Sequence, residues 1–232
     1  MTFFSIGVFS ALTFLYIAWR LPKVPSGGGF SPKKLPELLR HKGIMGLYLF
    51  TLLISSAIYV AYSYIEPFLK QVSLMPDDWV TTALMVFGGA GLLGSIAFSK
   101  YYNRNRKLFI TVNVAAMALC LLLLYPVSSG FLPVIMLLAV WGATATAYNV
   151  AMQSNMILVT TPESTPVAMS IFSGIFNLGI GSGAFFGGAI CSDLFISYIG
   201  LAGGVLALIG VVYWVARLGN RIEPKDTLDK YL

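Results

Sequence analysis

Seven apolar runs, separated by short polar stretches, organise this chain: residues 3–19, 44–66, 79–99, 108–126, 131–160, 165–190 and 199–217. Each approaches or exceeds the roughly 17–25 residues that a helix rising 1.5 Å per residue needs to cross hydrocarbon. Connections as short as 128–130 make consecutive runs antiparallel. A longer polar stretch, 22–43, carries Gly27-Gly28-Gly29, Pro32 and several basic residues, and separates the first run from the other six. A short surface helix is expected within it, around 34–40.

The second run is the most informative. At helical spacing Ser55, Tyr59, Tyr62 and Glu66 fall at i, i+4, i+7 and i+11, on one face. Hydrocarbon offers hydroxyls and carboxylates no partners, so this face is expected to turn toward other helices or a wet cavity. Pro67 lacks a backbone donor and disfavours helical geometry at Glu66, which predicts a break there. Two other runs carry polar faces at i, i+3, i+7: Thr146, Asn149 and Gln153, and Ser170, Ser173 and Asn177. Trp141 lies a turn and a half before the first of these.

Composition supports a membrane chain. Of its residues 57% are hydrophobic and only 10% charged, where soluble proteins carry about 25% charged residues. The net charge of +6 does not point to nucleic acid, because the cations sit in loops between apolar runs. Every basic residue except Lys70 falls in alternate connections: 20–42, 100–107 and 217–230. The positive-inside rule places those connections in the cytoplasm, with the amino terminus outside and the carboxyl terminus inside. Cys120 and Cys191 stand in apolar context without metal-like spacing, and the single His41 lies in the basic linker. No catalytic cluster and no cofactor motif is present, so an enzyme is not expected.

Three segments carry a resemblance: Tyr62-Ser63-Tyr64-Ile65-Glu66-Pro67-Phe68, Gly88-Gly89-Ala90-Gly91-Leu92-Leu93-Gly94-Ser95, and the run from Phe172-Ser173-Gly174-Ile175-Phe176-Asn177 to Leu178-Gly179-Ile180-Gly181. Together they resemble the second half of major facilitator superfamily transporters, and within it the bacterial sugar exporters of the arabinose type, in the drug:proton antiporter group. The resemblance implies an all-α integral membrane fold. Residues 1–21 would be the sixth helix of the full transporter, 22–43 the cytoplasmic linker between halves, 44–218 a six-helix half of two inverted three-helix repeats, and 219–232 a cytoplasmic tail. In such a half the second and fifth helices correspond, and those two runs hold the glycine clusters. Gly179, Gly183 and Gly187, spaced i, i+4, i+8, leave one helix face bare for a neighbouring backbone.

The expected function is proton-coupled efflux of small sugars across a bacterial inner membrane, with the amino-terminal half as the missing partner. Tyr59, Tyr62, Asn149, Gln153 and Asn177 are the candidate solute contacts, since amides both donate and accept and aromatic rings cover apolar sugar faces. Glu66 is either proton-linked or a residue of the outer interface. Ser95, Ser99, Lys100 and Arg104 occupy the place of the family's cytoplasmic motif, with Ser95 in place of its glycine and Ser99 in place of its aspartate. Drug or amino-acid efflux by a related exporter is the alternative, and a seven-helix receptor a more distant one. The orientation is directly testable. A reporter active only in the cytoplasm is expected to work when fused after Leu232 and to be silent when inserted near Ser73; the reverse pattern overturns the assignment.

Overall fold

The computed structural model describes residues 2–20 and 35–219, and every element in them is helical. Most of the linker and of the tail lies outside the described residues, as do the basic residues at 23–34 and 221–230. Residues 1–31 form one unit, built on helix α1 (Thr2–Arg20), which ends with the Arg20 guanidinium 5.2 Å from the Trp19 ring centre. The rest of the chain forms the second unit. It opens on α2 (Leu35–Arg40), the short helix expected in the linker. His41 then caps α3 (Lys42–Tyr62), its Nδ1 accepting from the Ile44 N–H at 3.4 Å. A capping role accounts for the one histidine without ligand chemistry.

Six helices of this unit are long and apolar enough to cross a membrane. They are α3 continued by α4 (Ile65–Gln71), α5 (Asp77–Tyr101), α6 (Arg106–Leu123), α7 (Phe131–Leu158), α8 (Thr165–Asp193) and α9 (Ile199–Tyr213), the last prolonged by a π turn, Trp214–Leu218. These match the last six apolar runs to within a few residues, except at one break.

The break does not fall at Glu66. Tyr62 ends α3, Ser63 and Tyr64 form a turn, and Glu66 and Pro67 are helical in the first turn of α4. The cause is still Pro67, acting four residues upstream: its ring excludes the Ser63 carbonyl, which has no N–H to bond. Pro67 itself stands where a helix needs no intrahelical donor. Glu66 therefore belongs to a different helix from Ser55, Tyr59 and Tyr62, and the continuous four-residue face is not formed.

Packing divides the spans into two intimate pairs, α3 with α8 and α5 with α7; α9 closes against α3 and α6, and α6 against α7. Exchanging the first three spans with the last three maps this set of pairings onto itself. Glycines show why the pairs are close. Gly179, Gly183 and Gly187 meet Ser55, the Ser56 carbonyl and the Val60 carbonyl in turn, so α8 lies parallel to α3 along its bare face. Gly94 faces the Ala143 carbonyl and Gly142 the Phe87 carbonyl, which gives α5 and α7 the same parallel contact. Gly203 against Ala57 and Gly210 against Ile54 run α9 antiparallel to α3. The second and fifth spans, which hold the glycine clusters, thus do equivalent work.

Aromatic side chains fill what the glycines leave. Phe50 stacks on Trp214 at 5.0 Å and meets Tyr148 edge-on at 5.8 Å, linking α3, α7 and the π turn in the core. Gly88, Gly89 and Gly181, by contrast, have nothing near an added methyl. Gly94→Ala, Gly142→Ala and Gly183→Ala are therefore expected to lose about 1–3 kcal/mol each, because backbone must move. Gly88→Ala and Gly181→Ala are expected to be neutral or slightly stabilising. Thermal unfolding in detergent separates the two sets, and equal losses in both would overturn this packing.

Candidate functional site

Chemistry-bearing side chains gather on the four helices of the two intimate pairs. The centre is an aromatic cluster. Tyr62 of α3 lies 5.0 Å from Phe87 of α5 and 6.2 Å from Trp141 of α7; Phe87 and Trp141 are 5.3 Å apart. Tyr59 meets Tyr62 at 5.6 Å and Phe176 of α8 at 6.3 Å. Tyr59, Tyr62, Phe87 and Phe176 are half-buried, and among the described residues the Tyr59 and Tyr62 hydroxyls bond no other group. The sequence pattern pointed to Tyr59 and Tyr62; the structure adds Phe87 and Phe176, which polarity could not flag.

Asn149 and Gln153 stand one turn apart on α7, half-buried, with Gln153 Nε2 donating to Asn149 Oδ1 at 2.5 Å. Asn177 of α8 is exposed, and its Nδ2 donates back to the Ser173 carbonyl at 2.8 Å; Ser170 does the same to Pro166 at 2.9 Å. Ser55 is not available at all. It is fully buried beneath Gly179, its hydroxyl donating to the Thr51 carbonyl at 2.6 Å. A hydroxyl bonded to its own helix satisfies itself without selecting a solute.

Glu66 lies apart from this cluster. It is exposed and pairs with Lys70 at 3.0 Å, and Lys70 also reaches Asp77 at 3.0 Å, tying α4 to the start of α5. The three line a cleft of about 400 Å³ with Val80, Thr81, Leu84 and Met85. Ser95, Ser99 and Lys100 are exposed on the last turns of α5, and Arg104 follows in the turn to α6. Ser95 donates to the Gly91 carbonyl at 3.3 Å, and the Lys100 ammonium lies 5.4 Å from the Tyr101 ring centre.

A second line of polar groups escaped the sequence pattern. Trp141, Tyr148 and Asn155 are fully buried at i, i+7, i+14 on α7, one face of the helix, spaced by about 10 Å. Among the described residues, Trp141 Nε1, the Tyr148 hydroxyl and Asn155 Nδ2 have no hydrogen-bond partner. Thr51 of α3 faces the Tyr148 hydroxyl without closing a bond of good geometry. The heptad spacing was the available signal, hidden because two of the three side chains read as aromatic filler. Two other buried tyrosine hydroxyls are satisfied: Tyr48 donates to the Ala168 carbonyl at 3.0 Å, and Tyr102, in the turn after α5, to Asn155 Oδ1 at 3.0 Å.

No family model matches the chain. The class of protein rests on the architecture and on these side chains.

Burial without a partner costs about 1–3 kcal/mol, whereas a made bond contributes about 1 kcal/mol. Tyr48→Phe and Tyr102→Phe are thus expected to lose about 1 kcal/mol each, and Tyr148→Phe to lose nothing or gain. Unfolding of the three variants side by side tests this. A loss at Tyr148 equal to the other two would show that its hydroxyl is bonded.

Proposed function

We propose that this chain is the solute-binding and rocking half of a major facilitator superfamily exporter, and that its solutes are small sugars moved outward in exchange for protons. One observation carries the reading: amides that lipid cannot satisfy, Asn149, Gln153 and Asn177, stand half-exposed or exposed on spans of a six-helix bundle. Polar groups in a span mark a solute path by default. Two further features support it. The pairings of the spans repeat under exchange of the two three-helix sets, as inverted repeats require. The aromatic cluster supplies flat apolar surface on helices that also carry the amides, and rings with amides are the combination a pyranose or furanose ring needs.

In this reading the basic loops face the cytoplasm and a second six-helix half completes the cavity. Substrate binds between halves near the midplane, and one half rocks against the other. In this reading the amides face that second half, because lipid offers them no partners.

Efflux of a labelled pentose from vesicles tests this. The chain alone is expected to insert and not to export, and co-expression with the amino-terminal half of such an exporter to restore gradient-driven efflux. In the restored system Asn149→Ala, Gln153→Ala and Asn177→Ala are each expected to weaken export several-fold, the worth of a hydrogen bond of about 1 kcal/mol. Robust efflux by the lone chain would overturn the two-half arrangement. Export of amino acids or drugs in preference to pentoses would move the chain to a related exporter class.

A further inference from the structure

We propose that Asn149 and Gln153 act as one unit that reads a vicinal diol, two hydroxyls on neighbouring carbons. This rests on the solute-transport reading above and narrows its substrate class. The two side chains spend one arm each on the other: Gln153 Nε2 donates to Asn149 Oδ1 at 2.5 Å. What remains is the whole Asn149 amino group and the whole Gln153 carbonyl. The orientation of an amide is assigned from its bonding network, but the result does not depend on it. With both amides flipped, Asn149 donates to Gln153 and leaves the opposite pair, again one amino group and one carbonyl. Either way the face offers one donor group beside one acceptor.

Adjacent hydroxyls fit this face because each can donate or accept. One accepts from the amino group while its neighbour donates to the carbonyl. A carboxylate can satisfy only the amino group, and an ammonium only the carbonyl. The mutual bond also holds both amides in one rotamer pair before the solute arrives, which lowers the ordering cost of binding. Positions i and i+4 bring the two groups to within about 6 Å on one helix face. Both are half-buried in a span, where neither lipid nor, among the described residues, any protein group takes the free atoms.

Equilibrium binding to the full chain in detergent tests the proposal without requiring transport. The probes are labelled arabinose, its 2,4-dideoxy analogue, whose pyranose ring has no two hydroxyls on neighbouring carbons, and an amino acid. The wild-type chain is expected to bind arabinose about 5-fold or more tightly than the dideoxy sugar, the worth of one hydrogen bond. Asn149→Asp and Gln153→Glu keep shape but remove the free amino group, since the remaining amide must donate to the new carboxylate. Each is expected to erase the preference for arabinose over the dideoxy sugar while the protein stays monodisperse. If the wild type prefers arabinose and both variants keep that preference, the amide pair is not the reader, though sugar recognition stands. If the wild type binds the amino acid and neither sugar, the diol proposal and the sugar reading both fall.

Discussion

The structure depends on letting helix backbones touch in a solvent that gives them no reason to. Lipid tails are as apolar as leucine, so burying leucine between two spans gains little, and packing and polar contacts must do the work. Gly94 against the Ala143 carbonyl, Gly142 against the Phe87 carbonyl, and Gly183 and Gly187 against the Ser56 and Val60 carbonyls are the same solution used on both pairs. Without side chains the Cα hydrogens come within reach of facing carbonyls, contacts worth about half of an ordinary hydrogen bond each. Two rigid pairs result, α3 with α8 and α5 with α7, and the remaining spans close around them.

The two pairs meet on different terms. Inside the α3–α8 pair, hydroxyls staple helix to helix: Tyr48 to the Ala168 carbonyl, Ser56 to Ser182, Tyr64 to the Ala184 carbonyl. Between the pairs, α3 touches α7 through rings instead, Phe50 on Tyr148 and Tyr62 on Trp141. The polar atoms at that seam, on Thr51, Trp141 and Tyr148, lack bonds of good geometry. Ring contacts are less directional than hydrogen bonds, so the seam between pairs is the softer joint of the bundle. The aromatic cluster lies on it.

Much of this was legible in the residues. Spans follow from run length, because crossing hydrocarbon fixes how many apolar residues are needed, and six of the runs recur as helices with ends shifted by only a few positions. The bare face of Gly179, Gly183 and Gly187 was equally plain, since i, i+4 spacing fixes a face whatever packs on it. Pro67 was read correctly as a breaker and placed wrongly: the clash it causes lies at Ser63, not at its neighbour. The face carrying Ser55 was expected to turn toward other helices or a wet cavity, and Ser55 is buried against α8, because the pattern gives a face but not which neighbour covers it. Phe87 and Phe176 join Tyr59, Tyr62 and Trp141 only when four helices come together, and no window along one helix contains that information. The stripe of Trp141, Tyr148 and Asn155 does lie on one helix, and only its burial was hidden.

Charge sets a limit on what this bundle does by itself in an exporter. The carboxylates described here, Glu66, Asp77, Asp78, Glu163 and Asp193, all stand at or near helix ends. Glu66 and Asp77 share Lys70 in an exposed ion network. In the exporter reading the groups that meet the solute are amides, phenols and rings. A proton-driven cycle needs a group that binds its proton more tightly when the site faces one side than the other, since only a difference in affinity between states shifts an equilibrium. Uncharged amides discriminate solutes and do not supply that difference. In the exporter reading, therefore, the amides and rings serve recognition, and coupling needs a separate group, for which Glu66 of this bundle and a carboxylate of the facing half are the candidates.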